Sequence, residues 1–183
     1  MWVGIIIGGI VLIIIIWVIA SYNGFIRLKN KIEEAFSTMD VYLKKRYDLI
    51  PNLVETVKGY AKHERETLEK VIQARNMAAG AKSMEERIEG ENMLTGTLKS
   101  LFAVAESYPD LKANVNFMDL QKQLQYLEEE IANSRKYYNA VVKMFNTKRE
   151  VFPTSILAGI FNFGKRPLFE ISEGERENVR VQF

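Results

Sequence analysis

The sequence has no cysteine, one histidine and only four prolines among its 183 residues. Without cysteine the chain cannot form a disulfide framework, a thiolate metal cage or a cysteine nucleophile. One histidine is too few for zinc or di-iron sites that use several imidazole ligands. The 25 Lys and Arg against 23 Asp and Glu leave a net charge of +2, too small to indicate nucleic acid as a partner. Composition therefore predicts no cofactor and no metal centre.

Charge is missing altogether from residues 2–20, which read WVGIIIGGIVLIIIIWVIA. As a helix this run would be about 28 Å long, close to the hydrocarbon thickness of a bilayer. Trp2, Trp17 and Tyr22 stand where aromatic side chains anchor at membrane interfaces. We therefore predict a transmembrane helix rather than a buried core helix, which would carry a polar face. A cleaved signal peptide is the alternative, because Val18-Ile19-Ala20 loosely resembles a cleavage site, although no basic segment precedes the run.

The residues around this run predict its orientation. Arg27, Lys29 and Lys31 follow it and nothing basic precedes it except the terminal amine, so the cytoplasmic side should hold the long C-terminal part and the N-terminus should lie outside. Gly4 and Gly8 form a G-x-x-x-G pair, which can let two membrane helices approach closely. Such pairs also arise by chance in an apolar helix, so self-association through them stays open.

Apolar residues at helical spacing predict four further helices, over about 21–50, 52–79, 84–107 and 117–150. The fourth has the strict three-four alternation of a coiled-coil-like seam. The links are short and the prolines fall at apparent breaks of periodicity, so no proline is expected inside a helix. The prediction is an all-α protein with an antiparallel up-down-up-down four-helix bundle over 21–151.

The turn predicted between the first two of these helices is centred on a proline. As the corner farthest from the membrane, it could bind an acidic or other protein partner. Solvation of its basic residues, or their pairing with nearby aspartates, is the alternative. The corner comprises Lys44, Lys45, Arg46, Tyr47, Asp48, Pro51 and Asn52.

Residues 152–183 form a C-terminal tail, and the predicted topology returns its start to the bilayer surface. Its first part, 152–169, is apolar and aromatic with two basic residues, the composition of an interfacial segment that meets anionic headgroups. It is too short to span the bilayer a second time. Packing of the tail on the bundle or between subunits is an equally open alternative. The candidate lipid-contacting residues are Phe152, Ile156, Leu157, Ile160, Phe161, Phe163, Lys165 and Arg166.

Two polar stretches invite a catalytic or metal-binding interpretation. His63-Glu64-Arg65-Glu66-Thr67 lacks the second histidine that a zinc-protease motif needs at its fifth position. Glu128-Glu129-Glu130 would need more oxygen ligands from other helices, and adjacent helix positions splay around the axis. With no nucleophile–base pair, phosphate loop or metal constellation visible, the sequence indicates a protein that is not an enzyme and has no small-molecule substrate.

Three blocks of the sequence, Tyr22–Arg75, Leu101–Thr147 and Phe152–Glu170, resemble the bacterial LemA family in motif content and order, over nearly the whole chain. The resemblance implies a single-pass membrane protein with a helical-bundle domain and supplies no catalytic residue. We expect a membrane-anchored scaffold or adaptor that self-associates and organises membrane or protein partners. The alternative is a lipid-interacting protein that senses or remodels the bilayer through its tail.

Overall fold

The computed structural model describes residues 2–169, and all regular structure in that range is helical. The part of the predicted tail beyond residue 169 lies outside the described residues. The predicted four-helix bundle with antiparallel neighbours stays a prediction. The helices are α1 (Trp2–Tyr60), α2 (Arg65–Gly80), α3 (Met84–Glu106), α4 (Pro109–Lys112), α5 (Val115–Glu150) and α6 (Thr154–Ile160).

The described residues divide into two compact units, where the sequence suggested one domain over 21–151. The first unit contains residues 2–37 and 136–168, and the second contains residues 38–135 and 169. Helices α1 and α5 each contribute residues to both units. The apolar anchor, the end of α5, α6 and the tail as far as residue 168 thus belong to the first unit.

The uncharged run 2–20 forms the first part of α1. Among the described residues, α1 is the one helix long and apolar enough to cross a membrane, by length and composition. The apolar window has 0% of its residues buried, and Ile5, Ile6 and Ile13 expose 60% or more of their surface. The structure therefore does not place this run in a protein core.

The corner predicted at Pro51 does not form. Helix α1 continues through Pro51 to Tyr60, and the chain first turns at residues 61–64, where the Glu64 amide donates to the Ala61 carbonyl at 3.1 Å. The second helix consequently begins at Arg65 rather than at residue 52. The expectation that no proline lies inside a helix is wrong for this position.

Two features let the helix continue past Pro51. A proline removes the N–H that would bond the carbonyl four residues earlier, here that of Tyr47. Arg75 of α2 donates its Nε to this carbonyl at 3.1 Å, so the acceptor that the proline deprives of its partner is satisfied from a neighbouring helix. The apolar face also continues without a break, because Ile50 and Leu53 on either side of the proline are fully buried. Packing therefore favours a helix where local propensity favoured a turn.

Helices α2 and α3 pack closely within the second unit. A Cβ atom on Gly90 would lie 2.7 Å from the Cα atom of Ala78, a distance too short for two carbon atoms that are not bonded. The glycine that lowers the helix propensity of α3 is therefore needed for this approach. Ser83 caps α3, since its hydroxyl accepts the Glu86 amide at 3.1 Å.

Candidate membrane-interface site

Aromatic side chains from three parts of the first unit meet just beyond the apolar run of α1. Phe25 is fully buried and stacks on Phe163 at a centroid distance of 4.6 Å. Phe145 of α5 packs edge-on to both rings, at 5.8 Å from Phe25 and 6.3 Å from Phe163. Tyr22 adds a contact to Phe161 at 4.9 Å. Such pairs contribute about 0.5–1.5 kcal/mol each beyond their buried area, so this aromatic cluster holds the tail against α1 and α5.

A left-handed cap at the end of α6 places Phe163 in the aromatic cluster. Asn162 has φ of 55°, and the Phe163 amide donates to the Ala158 carbonyl at 2.9 Å while the Asn162 amide donates to the Gly159 carbonyl at 3.3 Å. This pair of bonds is the Schellman motif, which ends a helix and reverses the chain. Asparagine is one of the few residues that adopt a left-handed conformation readily.

The extended residues 163–167 lie along α5 and obtain hydrogen bonds from its side chains. Their peptide groups need such partners because no helix or strand supplies them. Arg149 donates its Nε to the Phe163 carbonyl at 2.9 Å. Asn146 donates to the Arg166 carbonyl at 2.9 Å and accepts the Arg166 amide at 3.0 Å. The described tail is thus docked by specific bonds as well as by its aromatic rings.

Helix α6 is apolar on two faces. Leu157 and Ala158 face inward, with 4% and 3% of their surface exposed. Ile156 and Ile160 of α6 keep 54% and 69% of their surface exposed, and Phe152, just before the helix, keeps 80%. We call these three exposed side chains together the outer apolar face. The inward side accounts for docking, and the outer apolar face has no described protein partner.

The end of α6 lies close to the end of the apolar run of α1. Tyr22 stands two residues beyond Ala20, a rise of about 3 Å, and contacts Phe161 at the end of α6. The docked tail therefore lies beside the end of the apolar run, at the level where the headgroups of a bilayer around that run would begin.

Basic side chains lie at the same level. The Lys148 ammonium sits 4.9 Å from the centre of the Phe25 ring and against Gly24, where the Cβ of any larger residue would collide with it. Burial and the neighbouring Arg27 cation both lower the pKa of Lys148. Lys165 is exposed on the docked tail.

The second unit contains a buried cluster of charged side chains. Arg46 and Glu91 are both fully buried and form an ion pair, and Arg46 also binds Glu128 at 2.6 Å. The hydroxyl of Tyr47 donates to Glu91, and burial raises the pKa of this phenol, so it stays protonated. The buried pair links α1 to α3, and the contact with Glu128 adds α5 to the same cluster.

Sequence reasoning missed the role of Glu91, although a signal was available. In α3 the position continues the apolar series Ile88, Leu94, Leu98 and Leu101 at steps of three and four. A charged residue at such a position faces the core and needs a buried partner. Its buried partner is Arg46, one of the residues of the predicted corner.

The other residues of the predicted corner lie in the last third of α1. Lys44, Lys45, Asp48 and Asn52 are exposed and Pro51 is half-buried. Because the helix does not turn there, they do not form the partner-binding corner that the sequence suggested.

The anchor residues lie on an open helix surface. Trp2 is 79% exposed and Trp17 is half-buried. A Cβ atom on Gly4 or Gly8 would meet no atom within 4 Å, so the described residues leave this small-residue face uncovered. Within residues 2–169, no group of three or more His, Asp or Glu side chains is placed to hold a metal ion.

Comparison with known proteins agrees with the resemblance seen in the sequence. Residues 35–183 match the model of the LemA family, and this match begins after the apolar run. Protein LemA of Metamycoplasma hominis is 29% identical over 161 residues, which cover 86% of this chain and 72% of that protein. Because the family model spans most of the chain, the protein belongs to the LemA family.

Proposed function

We propose that the protein is a non-enzymatic scaffold or adaptor, anchored in the cell membrane by residues 2–20 and held against the bilayer a second time by the outer apolar face of α6. The observation that carries this proposal is the aromatic cluster, which docks α6 beside the end of the apolar run. A second attachment would fix the helical part of the protein relative to the membrane surface, as a scaffold for membrane or protein partners requires.

Energetics support the second attachment. Each side chain of the outer apolar face would gain about 1 to 2 kcal/mol on transfer from water to the acyl boundary, because roughly half or more of each is still exposed. Side chains of α5 already bond to backbone carbonyls of the tail. Insertion of the outer apolar face would therefore not require the docked tail to unfold. The basic residues that follow the anchor favour a cytoplasmic location for this unit.

A single fluorescent label can test the attachment. The chain has no cysteine, so Ile156→Cys gives the full-length protein one site for an environment-sensitive dye. In liposomes we expect blue-shifted emission that spin-labelled lipids quench. Lys136→Cys, an exposed position on α5 twelve residues from Lys148, is the matched control and should report water. Emission from position 156 that matches the control would overturn the second attachment.

Self-association is the second part of the proposal. A scaffold that organises partners gains from multivalency, and the open face at Gly4 and Gly8 allows close approach of two membrane helices. Gentle solubilisation followed by mass measurement of the intact complex tests this part. We expect a multiple of the chain mass with copurifying components, whereas a bare monomer that also fails to cross-link in native membranes would contradict a scaffold role.

A second candidate function is sensing or remodelling of the bilayer through the same tail. The bulky outer apolar face favours it, because shallow insertion of such side chains is sensitive to lipid packing and curvature. Reconstitution at high surface density into anionic vesicles distinguishes the two functions. Tubulation or leakage that is lost on replacing Phe152, Ile156 and Ile160 by serine supports remodelling, and intact vesicles oppose it.

A further inference from the structure

We infer that Lys148, seated in the notch at Gly24 and flanked by Arg27, binds the phosphate of an anionic phospholipid headgroup. The inference rests on the proposed membrane location and adds a lipid class and a specific site to it. All three residues belong to the first unit, and the site is distinct from the outer apolar face.

The depth of the site matches that of lipid phosphates. Gly24 stands four residues beyond Ala20, a rise of about 6 Å, and a headgroup layer is about 5–8 Å thick on each side of the hydrocarbon core. The Lys148 ammonium lies against Gly24 and above the Phe25 ring. A cation fixed in this place would lie among the headgroups of the leaflet that surrounds the end of the anchor.

Among the described residues, the two cations of the site have no carboxylate partner. Arg27 and Lys148 are close enough for Arg27 to disfavour the charged form of Lys148, and no carboxylate among the described residues forms a salt bridge with either. Two neighbouring cations repel each other unless an anion lies between them. A phosphodiester carries one negative charge and several acceptor oxygens, so it would relieve this repulsion and bond to both groups.

The absence of a side chain at position 24 leaves room for the lysine ammonium. A Cβ there would occupy the ammonium's place, so the flexible end of Lys148 would have to shift. Gly24→Ala therefore displaces the cation without changing the charge of the protein, and it supplements direct removal of the charge by Lys148→Met.

Lipid selectivity of the full-length protein tests the inference. In mixed bilayers, the association of spin-labelled phosphatidylglycerol relative to phosphatidylcholine should fall about fivefold in Lys148→Met, since one cation at a membrane surface contributes about this factor. Gly24→Ala should lower it in the same direction and Lys148→Arg should retain it. Lys136→Met makes the same charge change on the same helix, away from the anchor, and should have no effect.

Three outcomes would overturn the inference. They are unchanged selectivity in Lys148→Met, an equal loss in Lys136→Met, and a loss of selectivity in the natural protein on adding excess inorganic phosphate, which would identify free phosphate as the ligand. The dye at position 156 gives a separate readout. It should stay inserted in Lys148→Met, and a dye in water combined with intact selectivity would refute the second attachment while leaving the phosphate site in place.

Discussion

At the scale of single residues, two charged side chains occupy unusual places for different reasons. Arg46 is fully buried but paired with Glu91 and Glu128. Lys148 is half-buried with Arg27 as its charged neighbour. A buried pair adds little net stability over an apolar pair but is costly to break, whereas a cation without a carboxylate partner among the described residues can bind an external anion. The first is therefore a packing determinant and the second a candidate ligand-binding group.

Removal of Glu91 should destabilise the second unit severely. Glu91→Ala removes the buried carboxylate of the Arg46 ion pair and leaves the guanidinium only the partly exposed Glu128, and breaking a buried ion pair typically costs about 3–5 kcal/mol. Combining Arg46→Met with Glu91→Leu removes both charges and should recover most of that loss. Chemical denaturation of the detergent-solubilised protein measures both effects. A double variant as unstable as Glu91→Ala would show that the ion pair is not the reason for the loss.

Lys148 should lose its proton more readily than a solvated lysine. Its folded-state pKa is lowered, chiefly by burial and also by Arg27, so the unfolded chain binds the proton more tightly between the two pKa values. The free energy of unfolding should consequently rise as pH increases through that interval. Methyl-lysine NMR in a neutral detergent, with Lys136 as the internal reference, measures the shift, and anionic lipid should raise the Lys148 pKa again.

At the scale of elements, the longest helix survives a proline because another helix completes its hydrogen bonding. The Tyr47 carbonyl, which Pro51 leaves without an amide partner, accepts a bond from Arg75. Local sequence rules place a helix end near such a proline. The turn that does form, at residues 61–64, contains neither glycine nor proline, so a local breaker could not have revealed it.

This explanation predicts coupling between positions 51 and 75. Arg75→Met should cost about 1–2 kcal/mol in the natural chain, because the Tyr47 carbonyl loses a charged donor. With Pro51→Ala present, the backbone amide can bond that carbonyl, and the same Arg75 change should cost distinctly less. A denaturation double-mutant cycle gives the coupling energy. Equal costs in the two backgrounds would mean that Arg75 stabilises the helix by another route.

The end of α6 depends on one residue with a left-handed conformation. Asn162→Gly should leave the tail docked, whereas Asn162→Val should loosen it by about 1–2 kcal/mol, since a branched side chain resists the positive φ of this position. Hydrogen exchange of the amides in residues 163–167 reports docking. Both variants should keep the protection of α2 and α3, which lie in the other unit. Equal protection of 163–167 in the two variants would contradict the role of the cap.

At the scale of the whole molecule, apolar surface is distributed in two places that described protein atoms leave uncovered. One is the run 2–20 and the other is the outer apolar face of α6. Monomeric soluble proteins seldom expose such contiguous apolar surface, and its presence marks contact with a membrane or a partner. Both surfaces lie in the first unit, so this unit is the membrane-facing part in the proposed function.

Self-association through the anchor predicts a clear response to steric change. Gly4→Ile combined with Gly8→Ile fills the open face and should reduce cross-linked oligomers in native membranes. Gly9→Ile adds the same bulk on a neighbouring face and serves as the control. Loss of cross-linking in the control alone would place the contact on another face of the helix, and no loss in either would show that the anchor does not mediate assembly.

The sequence by itself determined the features that depend on composition and repeated spacing. These are the helical class, the uncharged segment 2–20, the approximate extent of α3 and α5, and the membership of the LemA family. Such features follow from composition and hydrophobic periodicity. These can be read from a short window of the sequence without knowing which residues are in contact in the fold. The apolar, aromatic and basic composition of residues 152–169 was visible in the sequence. Their division into a docked side and an outer apolar face was not.

Tertiary structure alone decided which local signals prevail. Pro51 lies inside a helix because Arg75, distant in sequence, donates a hydrogen bond to the Tyr47 carbonyl that the proline leaves without an amide partner. Arg46 is buried because Glu91 faces it, and Lys148 reaches α1 because position 24 carries no side chain. Each outcome depends on a pair of residues far apart in the chain, and the free energy of such contacts exceeds the small preferences that single residues express locally.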